Sequence, residues 1–311
     1  MNMSLSAVGP AVGAAVGPAV GPAVGRIANA AVAQTDAPRV LYAIRNIRAC
    51  GVNLLMNDFA AGLPSPLAFL GLADLLVRRL NLTPWSARVI PVLHQVCVSD
   101  GRTKPEMERK SGVFGPVETI ESMTGVVDLS LLIEAPGCYS AADLGLAMTG
   151  CRIAGGSIQN DTIDISQVTA DGSAFRSLRR GYAMVRPDRP DRLMISAGDP
   201  DGIRAIARLI FPASRPQGFG WIAPVAVGYR LLEDPETVPK RGRTRSRDIP
   251  HVFAEPLVGV AELISVRNAR LTGLYEADLA SLMWSWDARG SLVLGHADYH
   301  PAPSTSSTAL S

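Results

Sequence analysis

The chain has 311 residues, of which 47% are hydrophobic and 19% are charged, and this balance excludes both a disordered chain and an integral membrane protein. Aromatic residues make up only 5%, so a broad aromatic platform for stacking nucleic-acid bases is not expected. A net charge of +2 and an isoelectric point near 8.4 do not by themselves indicate a nucleic-acid-binding protein, but they leave room for a local basic groove.

Residues 1–38 form a low-complexity segment, in which Ala-Val-Gly-Pro repeats run from Ala7 to Gly25 and an alanine-rich stretch follows. Glycine and proline at short intervals prevent a helix, and no side chain is large enough to build a core, so a disordered extension is predicted. The segment lacks a basic start and is broken by prolines, which makes it a poor signal peptide. No apolar run reaches the roughly 20 residues of a membrane span, so the expected location is the cytoplasm without membrane contact.

The first strongly patterned unit runs from Arg39 to Leu80. The apolar run Val40–Ile47 predicts a buried strand, and a polar loop follows it. Ser65 and Pro66 suit the N-cap and the first position of a helix, whose leucines recur at intervals of three to four residues. The strand side of the loop carries four polar candidates for binding: Arg45, Asn46, Arg48 and Asn53.

The next segments are also predicted to be strands and helices joined by polar loops. They are a strand over Ala87–Val98, a long polar loop over Asp100–Pro116, a strand over Val126–Ile133, a helix that Ser140 caps and that extends through Met148, and a glycine-broken strand over Cys151–Ile158. The order strand, helix, strand, strand, helix, strand is the ferredoxin-like βαββαβ pattern, which is also the scaffold of the RNA-recognition motif. Residues 39–170 are therefore expected to form an α+β, ferredoxin-like core.

Residues 171–290 are interpreted as a second, β-rich α+β part that completes the fold. Its predicted elements are a short basic helix over Ser173–Arg180, a helix over Asp201–Phe211, a strand pair or one bent strand over Trp221–Leu232, a mobile basic loop over Pro239–Asp248, an apolar stretch over Val252–Ser265 and a final helix over Leu274–Trp286. Residues 291–311 lead into a Ser/Thr-rich end and are predicted to be a disordered tail.

Signatures of catalysis are not found in the sequence. It has no G-x-S-x-G elbow, no phosphate-binding loop, no H-E-x-x-H and no G-x-G-x-x-G after a strand. The four cysteines, Cys50, Cys97, Cys138 and Cys151, form no C-x-x-C pair and have no histidine at zinc-like spacing. The residues by themselves therefore nominate no catalytic pair, no metal site and no cofactor site. His94 lies within a predicted strand, where a half-buried structural histidine is favoured over a general base.

Two further groups of residues are candidates for binding phosphate. Arg152 precedes Gly155 and Gly156, which either make a bulge or tight bend in a strand or allow an RNA backbone to approach closely. The second group is the basic loop, which is either a solvated loop or a phosphate-binding segment and contains Lys240, Arg241, Arg243, Arg245 and Arg247. Asn53 either shapes a turn or bonds base edges.

Several of these stretches, taken in order, resemble the family of second Csy subunits of type I-F CRISPR surveillance complexes, which are Cas-five-type proteins. The opening unit resembles a basic strand, loop, Gly-x-Pro turn and apolar helix of that family, and Arg152–Gly156 resembles its R-x-A-G-G element. Gly220–Tyr229 is similar to its G-W…P…G-Y strand, and the C-terminal similarities are Phe253–Pro256, Glu262–Ser265 and Leu282–Trp284.

The resemblance implies a RAMP-type, non-catalytic subunit that holds the 5′ handle of the CRISPR RNA. It also implies pairing with the large subunit and capping of the filament of backbone, Cas-seven-type subunits in antiviral defence. Contact with target DNA is left open. The alternative is a CRISPR-RNA-processing endoribonuclease of the same superfamily, with His94 as its candidate for acid–base chemistry.

Overall fold

The fold is taken from a computed structural model, which describes residues 38–56, 61–99, 106–110, 112–117, 123–187, 204, 207–208, 210–214, 218–239, 241 and 250–296. Most of the expected N-terminal extension and the end of the expected tail lie outside the described residues. So do Lys240, Arg243, Arg245 and Arg247 of the basic loop.

The described residues form a mixed α/β structure that is dominated by one large antiparallel sheet. The strands are β1 (Leu41–Asn53), β2 (Arg88–Val98), β3 (Glu106–Lys110), β4 (Val113–Val117), β5 (Thr124–Glu134), β6 (Arg152–Ile153), β7 (Gly156–Ile158), β8 (Asp164–Val168), β9 (Tyr182–Val185), β10 (Trp221–Leu231), β11 (Ala254–Ser265), β12 (Ser285–Arg289) and β13 (Leu292–His296). The helices are α1 (Pro66–Arg79), α2 (Ala141–Met148), α3 (Ser173–Arg176), α4 (Ala269–Thr272) and α5 (Glu276–Leu282).

The sheet has eleven strands in the order β12-β13-β10-β11-β9-β2-β5-β1-β7-β6, and β8 also pairs with β1. β3 and β4 form a separate hairpin. The second half of the chain continues the same sheet, because β9 pairs with β2 on one side and with β11 on the other.

Strand β1 is central to the first half of the sheet. One of its edges pairs with β5, and the other pairs with β8 through Leu41–Arg45 and with β7 through Ala49 and Cys50. Its pairing with β5 shifts register twice, once between Ile44 and Ile47 and once after Cys50. Each bulge adds a residue, so Ile44, Ile47, Ala49 and Val52 all remain on the same buried face.

Helix α1 forms where the leucine pattern predicts it. The Ser65 side chain accepts a 3.1 Å hydrogen bond from the Leu67 amide, Pro66 occupies the start of the helix, and Arg78 and Arg79 lie in its last turn. The apolar stripe packs on the sheet and is almost completely buried, with Phe69, Leu70 and Val77 at 0% exposure. This prediction is confirmed.

The sheet has a hydrophobic core on each side. On the first side, α1 and α2 pack against residues such as Tyr42, Ile44, Leu129 and Leu131. On the second side, α3, α4 and α5 pack against Leu41, Ala43, Ile90, Val92 and Leu132. The second core covers only one end of β1, β2 and β5, and the other end of that face is polar.

Several predicted elements differ from the structure. β1 extends through Asn53, so the four polar candidates lie on the strand itself. Cys151–Ile158 contains two short strands joined by a turn, because Ala154 and Gly155 both adopt positive φ. The expected polar loop over 100–116 contains the β3–β4 hairpin.

The second half of the chain also differs in part. Trp221–Leu231 is one strand with a bulge between Ala226 and Gly228, which selects the bent-strand alternative. The expected helix over 274–286 is helical only over Glu276–Leu282, and β12 follows it. β13 lies at the start of the expected tail, where pairing with β10 and β12 outweighs its weak sequence pattern. Of the described residues in the expected helix over 201–211, residues 204, 207–208 and 210 are helical, and residue 211 is not.

Within the described residues, no helix combines the length and the apolar character that a membrane-spanning segment requires.

Candidate nucleic-acid interface

A polar patch covers one end of β1, β2 and β5 on the sheet face opposite α1 and α2. We call it the polar face and define it by Arg45, Arg48, His94, Asp128, Ser130 and Arg179. In the strand register, Arg48 of β1 lies directly opposite Asp128 of β5, and Asp128 lies directly opposite Gln95 of β2. Side chains directly opposite each other point to the same side of a sheet, so these three residues form a row.

Asp128 lies between two arginines at the centre of the polar face. Its Oδ1 is 3.7 Å from the Arg48 guanidinium and its Oδ2 is 3.8 Å from the Arg179 guanidinium. The Asp128 side chain is only 17% exposed, whereas those of Arg48 and Arg179 are 60% and 52% exposed. The patch therefore presents two accessible positive groups above one recessed negative group.

The backbone beneath Arg48 is held by Asn160. The Asn160 side chain accepts a 2.7 Å hydrogen bond from the Arg48 amide and donates a 2.9 Å bond to the Asn46 carbonyl. Asn46 itself has a φ of 54°, which asparagine adopts more easily than most residues. The bulge that turns Arg48 toward the polar face is thus fixed by a side chain from outside the strand.

A directional hydrogen-bond chain links the bulge to the segment after α3. The Asn46 amide donates to Ser130 Oγ at 3.1 Å, and Ser130 Oγ is 2.8 Å from His94 Nε2. His94 Nδ1 is 2.9 Å from the Arg180 carbonyl, which can only accept, so Nδ1 carries the proton in a neutral imidazole and Nε2 accepts from Ser130.

The surroundings of His94 favour this neutral form. Burial lowers the pKa of His94 below its ordinary value, and the positive charge of Arg179 acts in the same direction. The hydrogen bond to Arg180 and the charge of Asp128 oppose this effect on the pKa without reversing it. Both ring nitrogens are engaged, and Ser130 is 0% exposed, so the pair resembles a structural link more than a catalytic one.

Arg45 has a structural environment that differs from that of Arg48. Its guanidinium donates to Ser166 Oγ at 2.7 Å and to Ser177 Oγ at 3.3 Å, and it lies 3.4 Å from Asp164. The side chain is only 15% exposed. Arg45 ties β1 to β8 and α3, which leaves it less accessible to a ligand than Arg48.

Asn53 and the β6–β7 hairpin meet at the far end of β1. The Asn53 side chain accepts a 2.8 Å bond from the Leu55 amide, which is the turn-shaping role, and its backbone amide donates to the Ala154 carbonyl. Arg152 is exposed and donates to the Gly155 carbonyl at 3.0 Å. Arg152 and Asn53 are therefore brought near the same end of β1.

Different physical constraints favour glycine at positions 155 and 156. Gly155 has a φ of 80° in the hairpin turn, and nothing would contact a side chain there. A Cβ on Gly156 would lie 2.8 Å from the Val52 amide nitrogen and 2.9 Å from the Cys50 carbonyl oxygen. The backbone that approaches Gly156 closely is β1 itself, which accounts for this glycine without RNA.

Arg241 is remote from the polar face. It pairs with Glu233, and its guanidinium stacks over Phe253 with its carbon 4.2 Å from the ring centroid. The hydrogen bond that Glu233 accepts from the Phe253 amide is the main cause that lowers the pKa of this carboxyl, and the hydrogen bond and charge of Arg241 add to it. Phe253 adjoins β11, which lies four positions from β1 in the sheet, so the structure does not bring Arg241 together with Arg48.

Sequence reasoning missed three of the six residues that define the polar face, namely Asp128, Ser130 and Arg179, and it also missed Asn160, which holds the backbone beneath Arg48. Arg179 lies within the stretch predicted to be a basic helix, so its charge was a usable signal. Asp128 interrupts an otherwise apolar strand, which is a second signal. Nothing in the sequence linked Asn160 to Arg48, because their contact spans more than one hundred residues.

Other features of the described residues are less suited to a ligand. Clefts of about 440 and 410 Å³ lie around α5 and the loop before α3, away from Arg48 and Asp128. Among the residues that the structure describes, no three His, Cys, Asp or Glu side chains are grouped as a metal site.

Part of the chain is similar to a known protein family. Residues 207–293 match the family model described as CRISPR-associated protein (Cas_Csy2), which is less than a third of the chain. The matched segment contains β10, β11, α4, α5 and β12. A search of curated proteins finds no matching sequence. The match supports a Csy-type CRISPR-associated protein, and the C-terminal part of this chain is thus similar to the Csy2 family.

Proposed function

We propose that this chain is a non-catalytic, RNA-binding subunit of a type I-F CRISPR surveillance complex in the cytoplasm. In this role it binds the 5′ handle of the CRISPR RNA, pairs with the large subunit and caps the filament of Cas-seven-type backbone subunits. The similarity of residues 207–293 to the Csy2 family supports the assignment to a CRISPR complex.

The topology of the first half supports a ferredoxin-like, RAMP-type core. Strands β8, β1, β5 and β2 are neighbours in that order, which corresponds to the order 4-1-3-2 of a ferredoxin-like sheet. Helices α1 and α2 are the two helices of the pattern, and they contribute to one shared core on one side of this sheet. In RNA-recognition motifs, which share this scaffold, the other face of the sheet binds RNA.

The single observation that carries the RNA-binding proposal is the pair of exposed arginines on that other face. Arg48 and Arg179 are more than half exposed and are held above one recessed carboxylate. Such an array suits a single-stranded RNA backbone, which needs a few well-placed cations rather than a strongly basic protein. Asn46 and Arg152, both exposed, extend the polar surface along β1 toward the β6–β7 hairpin.

The geometry of His94 argues against the endoribonuclease alternative. A general base needs a free ring nitrogen that can reach the ribose hydroxyl. His94 uses Nε2 for buried Ser130 and Nδ1 for a backbone carbonyl.

The test is a binding and cleavage assay with the purified full chain. The chain is titrated into labelled RNA of the CRISPR repeat 5′ handle and into unrelated RNA of equal length at the same salt concentration. The proposal predicts tighter binding of the handle and intact RNA after prolonged incubation. If the chain cleaves a repeat-containing transcript specifically and His94→Ala abolishes this cleavage, the chain is an endoribonuclease instead. Equal affinity for both RNAs would indicate a general nucleic-acid-binding adaptor.

A second experiment addresses the partners. The tagged chain is co-expressed with guide RNA, backbone subunits and large subunit, and the purified material is analysed for each component. The proposal predicts that all of them co-purify at defined stoichiometry, and recovery of the tagged chain alone would contradict it.

A further inference from the structure

We infer that Arg48 and Arg179 form a clamp for one RNA phosphate, in which Asp128 is the built-in counter-charge. The inference rests on the proposed function, since it names the chemical group of the RNA that the polar face binds. It adds Arg179 and Asp128 to the binding surface and gives each of them a distinct role.

The first argument is that Asp128 holds the two guanidinium groups loosely. The separations of 3.7 and 3.8 Å exceed the usual length of a hydrogen bond between an arginine and a carboxylate, which is about 2.8 Å. Oδ1 of Asp128 is also buried without a hydrogen-bond partner among the described residues. Both arginines can therefore turn to another acceptor without breaking a well-formed hydrogen bond.

The second argument is that the backbone of each arm is fixed. Asn160 bonds the Arg48 amide, and on the other side Arg267 donates to the carbonyls of Arg176 and Leu178 at 2.8 and 2.7 Å. His94 binds the Arg180 carbonyl, so Arg179 lies between two residues whose carbonyls are held. Prior fixing of the backbone reduces the entropy that is lost when a ligand binds.

The third argument is the charge of the cluster. Two guanidinium groups and one carboxylate leave one net positive charge. A phosphodiester carries one negative charge, and two of its oxygens can accept hydrogen bonds from two arginines at once. One phosphate thus neutralises the cluster and takes over from Asp128 as the acceptor of both arms.

The test compares Arg48→Ala, Arg179→Ala and the double variant for handle-RNA affinity across salt concentrations. Either single change leaves Asp128 neutralising the remaining arginine. Each should therefore weaken binding by roughly threefold to tenfold and reduce the salt slope by about 0.7, the value for one phosphate of a single strand. If the arms share a phosphate, the double variant shows the same reduction in slope as each single variant. A reduction of about 1.4 would indicate two separate phosphate contacts and overturn the clamp.

Asp128→Asn provides a readout that a merely structural role would not change. Removal of the counter-charge should tighten RNA binding several-fold. In combination with Arg179→Ala, it should restore affinity close to that of the unmodified chain, because Arg48 then keeps its charge for the phosphate. Weaker binding by Asp128→Asn at an unchanged melting temperature would overturn the assigned role of Asp128.

Arg78→Ala is the matched control. Arg78 also pairs with an aspartate, Asp74, but it lies on α1 on the other side of the sheet. Its loss should leave affinity and salt slope unchanged. If the unmodified chain binds no RNA, the proposed function fails; if it binds and Arg179→Ala is indistinguishable from it, only the clamp fails.

Discussion

Ser130 of β5 donates a 2.8 Å hydrogen bond to Nε2 of His94 on the neighbouring strand β2. Ser130 also accepts a hydrogen bond from the Asn46 amide of β1, so one buried hydroxyl connects three strands. This connection ties His94 into the polar face, where burial lowers the pKa of its imidazole. It also makes His94 a titratable element of the fold.

The first prediction concerns pH. Burial lowers the pKa of His94 in the folded chain below its ordinary value of 6.5, so the unfolded chain binds the proton more readily. The free energy of unfolding should therefore fall as pH decreases from 6.5 toward the folded-state pKa. Above pH 6.5, His94 is neutral in both states and should not reduce the free energy of unfolding. Urea denaturation at pH 7.5 and 5.5 should show a larger loss for the unmodified chain than for His94→Gln. Equal losses would mean that His94 does not titrate with folding.

The second prediction concerns a buried ion pair in the segment similar to the Csy2 family. The Glu262 side chain is 2% exposed, and it accepts two bonds from Arg270, at 2.6 and 2.9 Å, and one from the Gly220 amide. Glu262→Gln should reduce the free energy of unfolding by about 3 kcal/mol, because it removes the buried negative charge that accepts two hydrogen bonds from Arg270. Chemical denaturation measures this loss. Glu255→Gln, on an exposed position of the same strand, is the control and should have little effect.

The third prediction separates the two hairpin glycines. Gly156→Ala would place a methyl group against backbone atoms of β1 and should reduce the free energy of unfolding by about 1–3 kcal/mol. Gly155→Asn keeps a residue that tolerates positive φ and should be nearly neutral. Denaturation curves of the two variants provide the comparison. A neutral Gly156→Ala would show that β7 can move away from β1 without cost.

The fourth prediction concerns Arg152, which projects from the edge strand β6. Arg152→Ala should weaken handle-RNA binding and reduce the salt slope by about 0.7, as expected for one lost phosphate contact. The melting temperature should not change, because the side chain is exposed and, among the described residues, bonds only a turn carbonyl. Unchanged affinity and slope would show that Arg152 is merely solvated. Combined charge removal at Arg243 and Arg245 is expected to act in the same direction.

Local patterns were sufficient for part of the fold. The capped, leucine-striped helix α1 and the buried strands β2 and β5 were predicted where they occur, because their apolar periodicity reflects burial directly. Short segments were predicted less well. β6, β7 and β13 have two to five residues, too few for a clear periodic pattern, and β7 and β13 each also pair with a strand that is remote in the chain.

The binding surface was predicted less completely than the fold. Arg48 was selected from the sequence and is exposed on the polar face, whereas Arg45, selected on the same grounds, is tied to Ser166 and Asp164. The two residues differ in accessibility because β8 pairs with β1 beside Arg45 and ends before Arg48. No local signal distinguishes them.

The sequence by itself determined the elements whose formation depends on neighbouring residues: the cap and stripe of α1 and the apolar strands. Tertiary structure alone decided which polar side chains meet. Arg48, Asp128 and Arg179 come from three separate segments, and Asn160 and His94 fix the backbone beside them. Their proximity depends on strand order and on the bulge at Asn46, and these follow from burying both sides of the sheet at once.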